Sequence, residues 1–182
     1  MKTAGACSNK ILLSVSTNAG LGFTGGAAAA DPRTQATVNV AKQAGSDQFW
    51  QWAAFNKKGT FAVSYYDRQY GTDQATGSLD VSLSGSGDLS SFFVKRVTSS
   101  SMPPPTQFSG TFFGDYTGMD AQDDAHPVWM DTRDVDLFLC PGTGVPGTPP
   151  DVCTGTESAG FQAGLAANEQ DIFSAGVGIP TH

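Results

Sequence analysis

Three places in the chain bring together side chains able to do chemistry. Asp67 and Arg68 end the run VSYYDR, and Asp131 with Arg133 ends HPVWMDTR. A guanidinium fork can grip a carboxylate through two parallel hydrogen bonds, so each arginine could hold an anionic ligand at the rim of an apolar strand. The same pattern suits a structural ion pair or turn cap made once per unit, and its repetition favours that plainer role. Asp115 and Tyr116 lie in Gly114-Asp115-Tyr116-Thr117-Gly118, whose counterpart earlier in the chain is Gln51-Trp52, so this acid and phenol are not part of the repeated pattern. They are candidates for a site; otherwise Tyr116 is a core aromatic with a bonded hydroxyl.

Trp50, Trp52 and Trp129 could stack on sugar rings, but packed sheets also need large aromatics, and packing is the expectation. His126, next to Pro127, reads as a packed histidine rather than a base. Asp120, Asp123 and Asp124 share a turn and could hold Ca²⁺ through carboxylate and carbonyl oxygens; a solvated acidic turn is the plainer reading, and no other metal or cofactor is expected.

The elements that must position these groups come from an ungapped repeat at a spacing of 64 residues. QFWQWAAFNKKGTFAVSYYDRQ falls on FFGDYTGMDAQDDAHPVWMDTR, setting Trp52 on Tyr116, Tyr66 on Met130 and Asp67 on Asp131. Each copy is an aromatic run, a short polar turn and a second apolar run, which is the signal of a β-hairpin. A supersecondary unit recurring at fixed spacing predicts a repeat architecture, and four-stranded propeller blades fit because each blade buries its faces only against a neighbour.

Composition agrees with an all-β chain of short strands. Of 182 residues 39% are hydrophobic and 15% charged, with 22 Gly and 10 Pro, and long helical periodicities are missing. The length predicts one domain over 1–182. A net charge of −7, with no cluster among its few cations, argues against a nucleic-acid partner. No run approaches the roughly 20 apolar residues that span a bilayer. Met1-Lys2, Ile11 to Leu13 and Ala27 to Ala30 make a poor secretory signal, because the apolar stretch is short and interrupted. Cys140 and Cys153 bracket PGTGVPGTPPDV, a loop unable to order itself by burial, so a disulfide there is expected over two free thiols, and with it an exported protein.

In chain order, KILLSVS reads as a strand, and Thr37 to Val40 as its partner, ending an incomplete blade over 10–40. A complete blade over 49–98 has strands Phe49 to Phe55, Thr60 to Tyr66, Ser78 to Ser84 and Phe92 to Thr98. A third blade over 112–175 has strands Phe112 to Met119, Ala125 to Met130 and Gln170 to Ala175, with a long insertion over 134–169. So few blades cannot close a ring, which predicts either the remainder of a longer propeller or a homo-oligomer covering the open ends.

Ser16-Thr17-Asn18-Ala19-Gly20-Leu21-Gly22-Phe23 resembles the Asp-box of the sialidase superfamily, Ser-x-Asp-x-Gly-x-x-Trp, with Asn18 for Asp and Phe23 for Trp. Ser84 to Phe92 occupies the place of a second box but keeps little of the pattern. With DQFWQWAAF, VSYYDR, FFGDYTG, HPVWMDTR and DIFSAGVGIP, the chain resembles the later blades of secreted bacterial members of that superfamily. The resemblance implies a partial propeller of about two to three blades that is extracellular and acts on or binds glycans such as sialosides. Sialidases use an arginine triad, an Asp acid/base and a Tyr nucleophile paired with Glu; the chain has only four Arg and two Glu, Glu157 and Glu169, neither placed as a partner for Tyr. The candidates on that resemblance are Asp115, Tyr116 and Asp131 for catalysis, and Arg68, Arg133 and Trp52 for substrate. The alternative is a non-catalytic glycan-binding or self-assembling structural protein.

Overall fold

Twelve strands and no helix make up the residues that the computed structural model describes, 9–23, 36–37, 46–70, 78–103, 116–136, 167–168 and 170–182. β1 (Leu12–Leu13) and β2 (Ala36–Thr37) pair antiparallel. β3 (Gln48–Phe55), β4 (Phe61–Asp67), β5 (Asp80–Ser86) and β6 (Phe93–Arg96) form one antiparallel sheet in sequence order. β7 (Gly118–Ala121) pairs with β8 (Asp124–Asp131). β9 (Val135–Asp136) and β10 (Ala167–Asn168) pair at the two ends of the long insertion, so the excursion leaves and returns through one antiparallel stem. β11 (Asp171–Ser174) and β12 (Val177–Gly178) line up along the side of β8 opposite β7.

Sequence pattern explains which strand lies where. All seven residues of β4 and of β5 are buried, because both strands are covered on both faces. On one face Phe61, Val63 and Tyr65 pack with Phe92 and with Ile11 and Leu13 from the first strand pair. On the other, Ala62 and Leu83 meet Met119, Ala125 and Val177, while Tyr66 and Val81 meet Trp129. Alternation in β5 fits this division: Val81 and Leu83 serve the apolar face, whereas Ser82, Ser84 and Ser86 lie on the other. The hydroxyls of Tyr65 and Ser84 are hydrogen-bonded there at 2.9 Å.

One buried phenol joins the third sheet to the middle one through the backbone. Tyr66 Oη accepts from Met130 N at 2.9 Å and donates to Met130 O at 3.0 Å. Gly118 pairs with Val128, so continuing the register would set Tyr116 opposite Met130. The Tyr66 hydroxyl occupies those backbone groups instead, and β7 begins only at Gly118. Of the strand expected from Phe112 to Met119, Phe112 to Asp115 lie outside the described residues; among the described ones the strand runs from Gly118 to Ala121, and the turn narrows to Gln122-Asp123. Relative to its counterpart the hairpin register slips by two residues, since Phe55 faces Phe61 but Met119 faces Pro127 rather than Ala125. An even slip leaves every side chain on its original face.

Candidate functional site

The carboxylates at the strand ends are interior groups with full sets of partners. Asp131 is fully buried, and its oxygens accept from Arg133 Nε and Nη2, Arg133 N and Trp129 Nε1, all within 3.1 Å. Asp67, also fully buried, accepts from Gln48 Nε2, Gln69 N and Ser82 Oγ. Asp80 adds the same motif at the start of β5, bonded by Arg96 Nε, Thr98 Oγ1 and Ser101 Oγ. Arg68 lies 3.9 Å from Asp47. Arg133 also reaches Ser99 Oγ and lies 5.6 Å over the Phe173 ring, which ties the end of β8 to the middle sheet and to β11.

These partners set the charge states. Burial pulls the Asp131 carboxyl upward, but the hydrogen bonds from Arg133 and Trp129 outweigh it and hold the group below the usual carboxylate range. The same bonds, made to an anion, raise the Arg133 guanidinium further. Asp131 is thus an anion at neutral pH, unlike a general acid, which must be protonated near the working pH. Burial pushes the Tyr65 and Tyr66 phenols far above their ordinary value, so neither supplies a phenolate.

A different set of side chains faces solvent along the outer edge of the middle sheet. Phe49 pairs with Tyr66 and Trp52 with Ser64, so Trp50 and Gln51 together stand opposite Tyr65 in a β-bulge. The extra residue keeps Phe49 and Trp52 on the same face; without it Trp52 would point the other way. Trp50 takes φ +52°, the left-handed region that a bulky side chain rarely enters. Its ring sits edge-on to Phe49 and Tyr66, with centroids 6.1 Å from each. Trp50 remains 38% exposed, Trp52 50% and Tyr116 80%. Trp50, Tyr66, Thr117, Val128 and Trp129 line a small cleft between the two sheets, with room of about 10 Å³, enough for one water and not for a sugar ring. Phe-Trp-Gln-Trp was the signal for this bulge, since three aromatics at 49, 50 and 52 cannot all follow a two-residue alternation.

The remaining candidates are scattered. Tyr116 is 80% exposed whereas Asp131 is fully buried, and Asp115, Cys140 and Cys153 lie outside the described residues. His126 is exposed on the outward face of β8 rather than packed inside, with Gly176 beside its ring. Asp123 forms an exposed ion pair with Lys58 at 3.2 Å, Asp120 accepts from Gln122, and among the described residues no group of three or more His, Cys, Asp or Glu gathers to hold a metal.

Two turns share one construction. Asn18 Oδ1 accepts from Gly22 N, and Ser16 Oγ accepts from Gly20 N, each at 2.9 Å. Asp88 Oδ1 accepts from Ser90 N and Ser91 N, and Ser86 Oγ from Leu89 N. In both, the serine hydroxyl also meets the carboxyl or amide oxygen two residues on. Ser84 to Phe92 therefore keeps the Ser-to-Asx bond of the first turn, while its backbone donors lie two or three residues on rather than four. Amide donors hold the exposed Asp88 carboxyl well below its usual range. No protein-family model, no curated protein and no solved structure matches this chain.

Proposed function

We propose that the chain is an arc of a sialidase-like β-propeller that works outside the cell by binding glycans and does not hydrolyse them. The reading is carried by one contrast: the strand-end acid that could have served catalysis, Asp131, is buried, ionised and fully bonded, whereas Trp50, Trp52 and Tyr116 stand open at the rim. A four-stranded antiparallel sheet packed face to face on a second antiparallel sheet, three strands wide because β11 and β12 share one edge of β8, supports the propeller arrangement. The two turns built on Ser16-Asn18 and Ser86-Asp88 support the superfamily, because each joins the last two strands of its sheet or precedes such a join. Export follows from the proposed Cys140 to Cys153 disulfide. Incubation with a fluorogenic sialoside should give no turnover, and a glycan array should give saturable binding. Turnover abolished by Tyr116→Phe would refute the non-hydrolytic reading.

A second reading is favoured by the far face of the third sheet. Ile172 is 67% exposed and Ser174 is exposed with it, on the face of that sheet opposite Trp129 and Phe173, which pack toward the middle one. A further blade, from the same polypeptide or from a second copy, would cover them. Sedimentation at micromolar concentration distinguishes these: a compact monomer with no tendency to associate removes the second copy.

A further inference from the structure

We infer that the bulged edge of β3 is a stacking platform for an uncharged pyranose ring, with Trp52 and Trp50 as its floor and Tyr116 and Thr117 at its side. This rests on the glycan-binding reading and adds the place and the ligand class. The first observation is the backbone of Trp50. A left-handed conformation in a large aromatic costs free energy, and such outliers persist where the surrounding structure holds them for a purpose. Here the result of the bulge is visible: it turns Trp52 to the same face as Phe49 and leaves both indoles in contact with solvent.

The bulge also decides what kind of partner fits. A regular exposed edge would accept another strand, but an inserted residue with reversed φ breaks the row of backbone donors and acceptors that strand addition needs. A flat aromatic ring instead matches the C–H face of a sugar, with nearby polar groups orienting its hydroxyls; Gln51 is exposed and Thr117 partly so.

The side chains of the platform favour an uncharged ring over an acidic sugar. Capturing a sialic acid carboxylate calls for a guanidinium or ammonium aimed at it. Trp50, Gln51, Trp52, Tyr116 and Thr117 carry no cation of their own, and among the described arginines Arg96 and Arg133 are each held at 2.7 Å by a buried carboxylate and Arg68 lies 3.9 Å from Asp47. The chain as a whole is anionic, at −7. An uncharged ring meets neither obstacle.

The test is calorimetric titration of the full chain with lactose, cellobiose, chitobiose and a mannotriose, beside 3′-sialyllactose. At least one neutral probe should bind, Trp52→Leu should weaken it at least tenfold, and Trp52→Phe should restore most of the affinity, since leucine keeps apolar bulk but has no π face. Circular dichroism melts of each variant confirm that the sheets persist. Neutral binding unchanged in Trp52→Leu overturns the platform while leaving glycan binding intact. Binding confined to 3′-sialyllactose overturns the ligand class. Dimerisation that depends on Trp52, seen by sedimentation without sugar binding, overturns it in favour of a protein partner. Failure of the folded chain to bind any probe here and any glycan on the array removes the underlying reading as well.

Discussion

Asp131 and Arg133 show how residue type alone misleads about role. An acid and an arginine at a strand end are the groups that a carboxylate-binding catalyst would use, yet here each satisfies the other in the interior. Breaking such a pair from one side leaves a buried charge, so Arg133→Ala should destabilise the chain by about 3–5 kcal/mol, read from urea denaturation. The sign of the pH dependence follows from the direction of the shift. Asp131 titrates below the ordinary carboxylate value of about 3.9 when folded and near it when unfolded, so its contribution is complete above the unfolded value. That contribution fades as pH falls through the folded value. Urea midpoints should therefore drop from pH 5 to pH 3. In Arg133→Ala, burial is left to push Asp131 upward, and acidification should recover part of the loss. The repetition of Asp67 at Asp131 already pointed to a structural duty. What no sequence pattern gave was Tyr66, whose hydroxyl takes both backbone groups of its own repeat partner, Met130.

The strands were legible because their periodicities are strong. β3 to β6 fall within a residue or two of the expected runs, and β8 and β11 likewise, since each alternates or is apolar throughout between turn residues. Two features escaped. The bulge at Trp50 breaks alternation, which a pattern reader takes as noise; the late start of β7 depends on a side chain from another sheet. A third element-level device is Gly85, where a Cβ would meet Pro180 O at 2.2 Å and Ile179 Cγ2 at 2.6 Å. The segment after β12 thus lies directly on β5. Gly85→Ala should cost about 1–3 kcal/mol by overpacking. Removing Ile179 to His182 should make the two changes clearly less than additive in thermal melts, because the clash then has no second partner. The paired turns give a comparison of their own: Asn18 and Asp88 each accept backbone N–H groups through a side-chain oxygen, so Asp88→Asn should lower the melting temperature less than Asp88→Ala does.

At the scale of the molecule, the middle sheet is covered on both faces, by the first strand pair on one side and by the third sheet on the other. The 64-residue repeat made that layering legible, since two like hairpins on neighbouring sheets each need the other to bury an aromatic face. The repeat was silent on function because most of its aligned positions, such as Tyr66 and Met130, hold the sheets together, and the pairing of Trp52 with Tyr116 does not by itself show that both rings are exposed. The account therefore stands on what those rings meet. Glycan-array binding by the intact folded chain tests it most directly: saturable binding to neutral glycans, lost with Trp52→Leu and accompanied by no hydrolysis, is the predicted result. A folded chain that binds no glycan, or one that cleaves a sialoside through Tyr116, would contradict it.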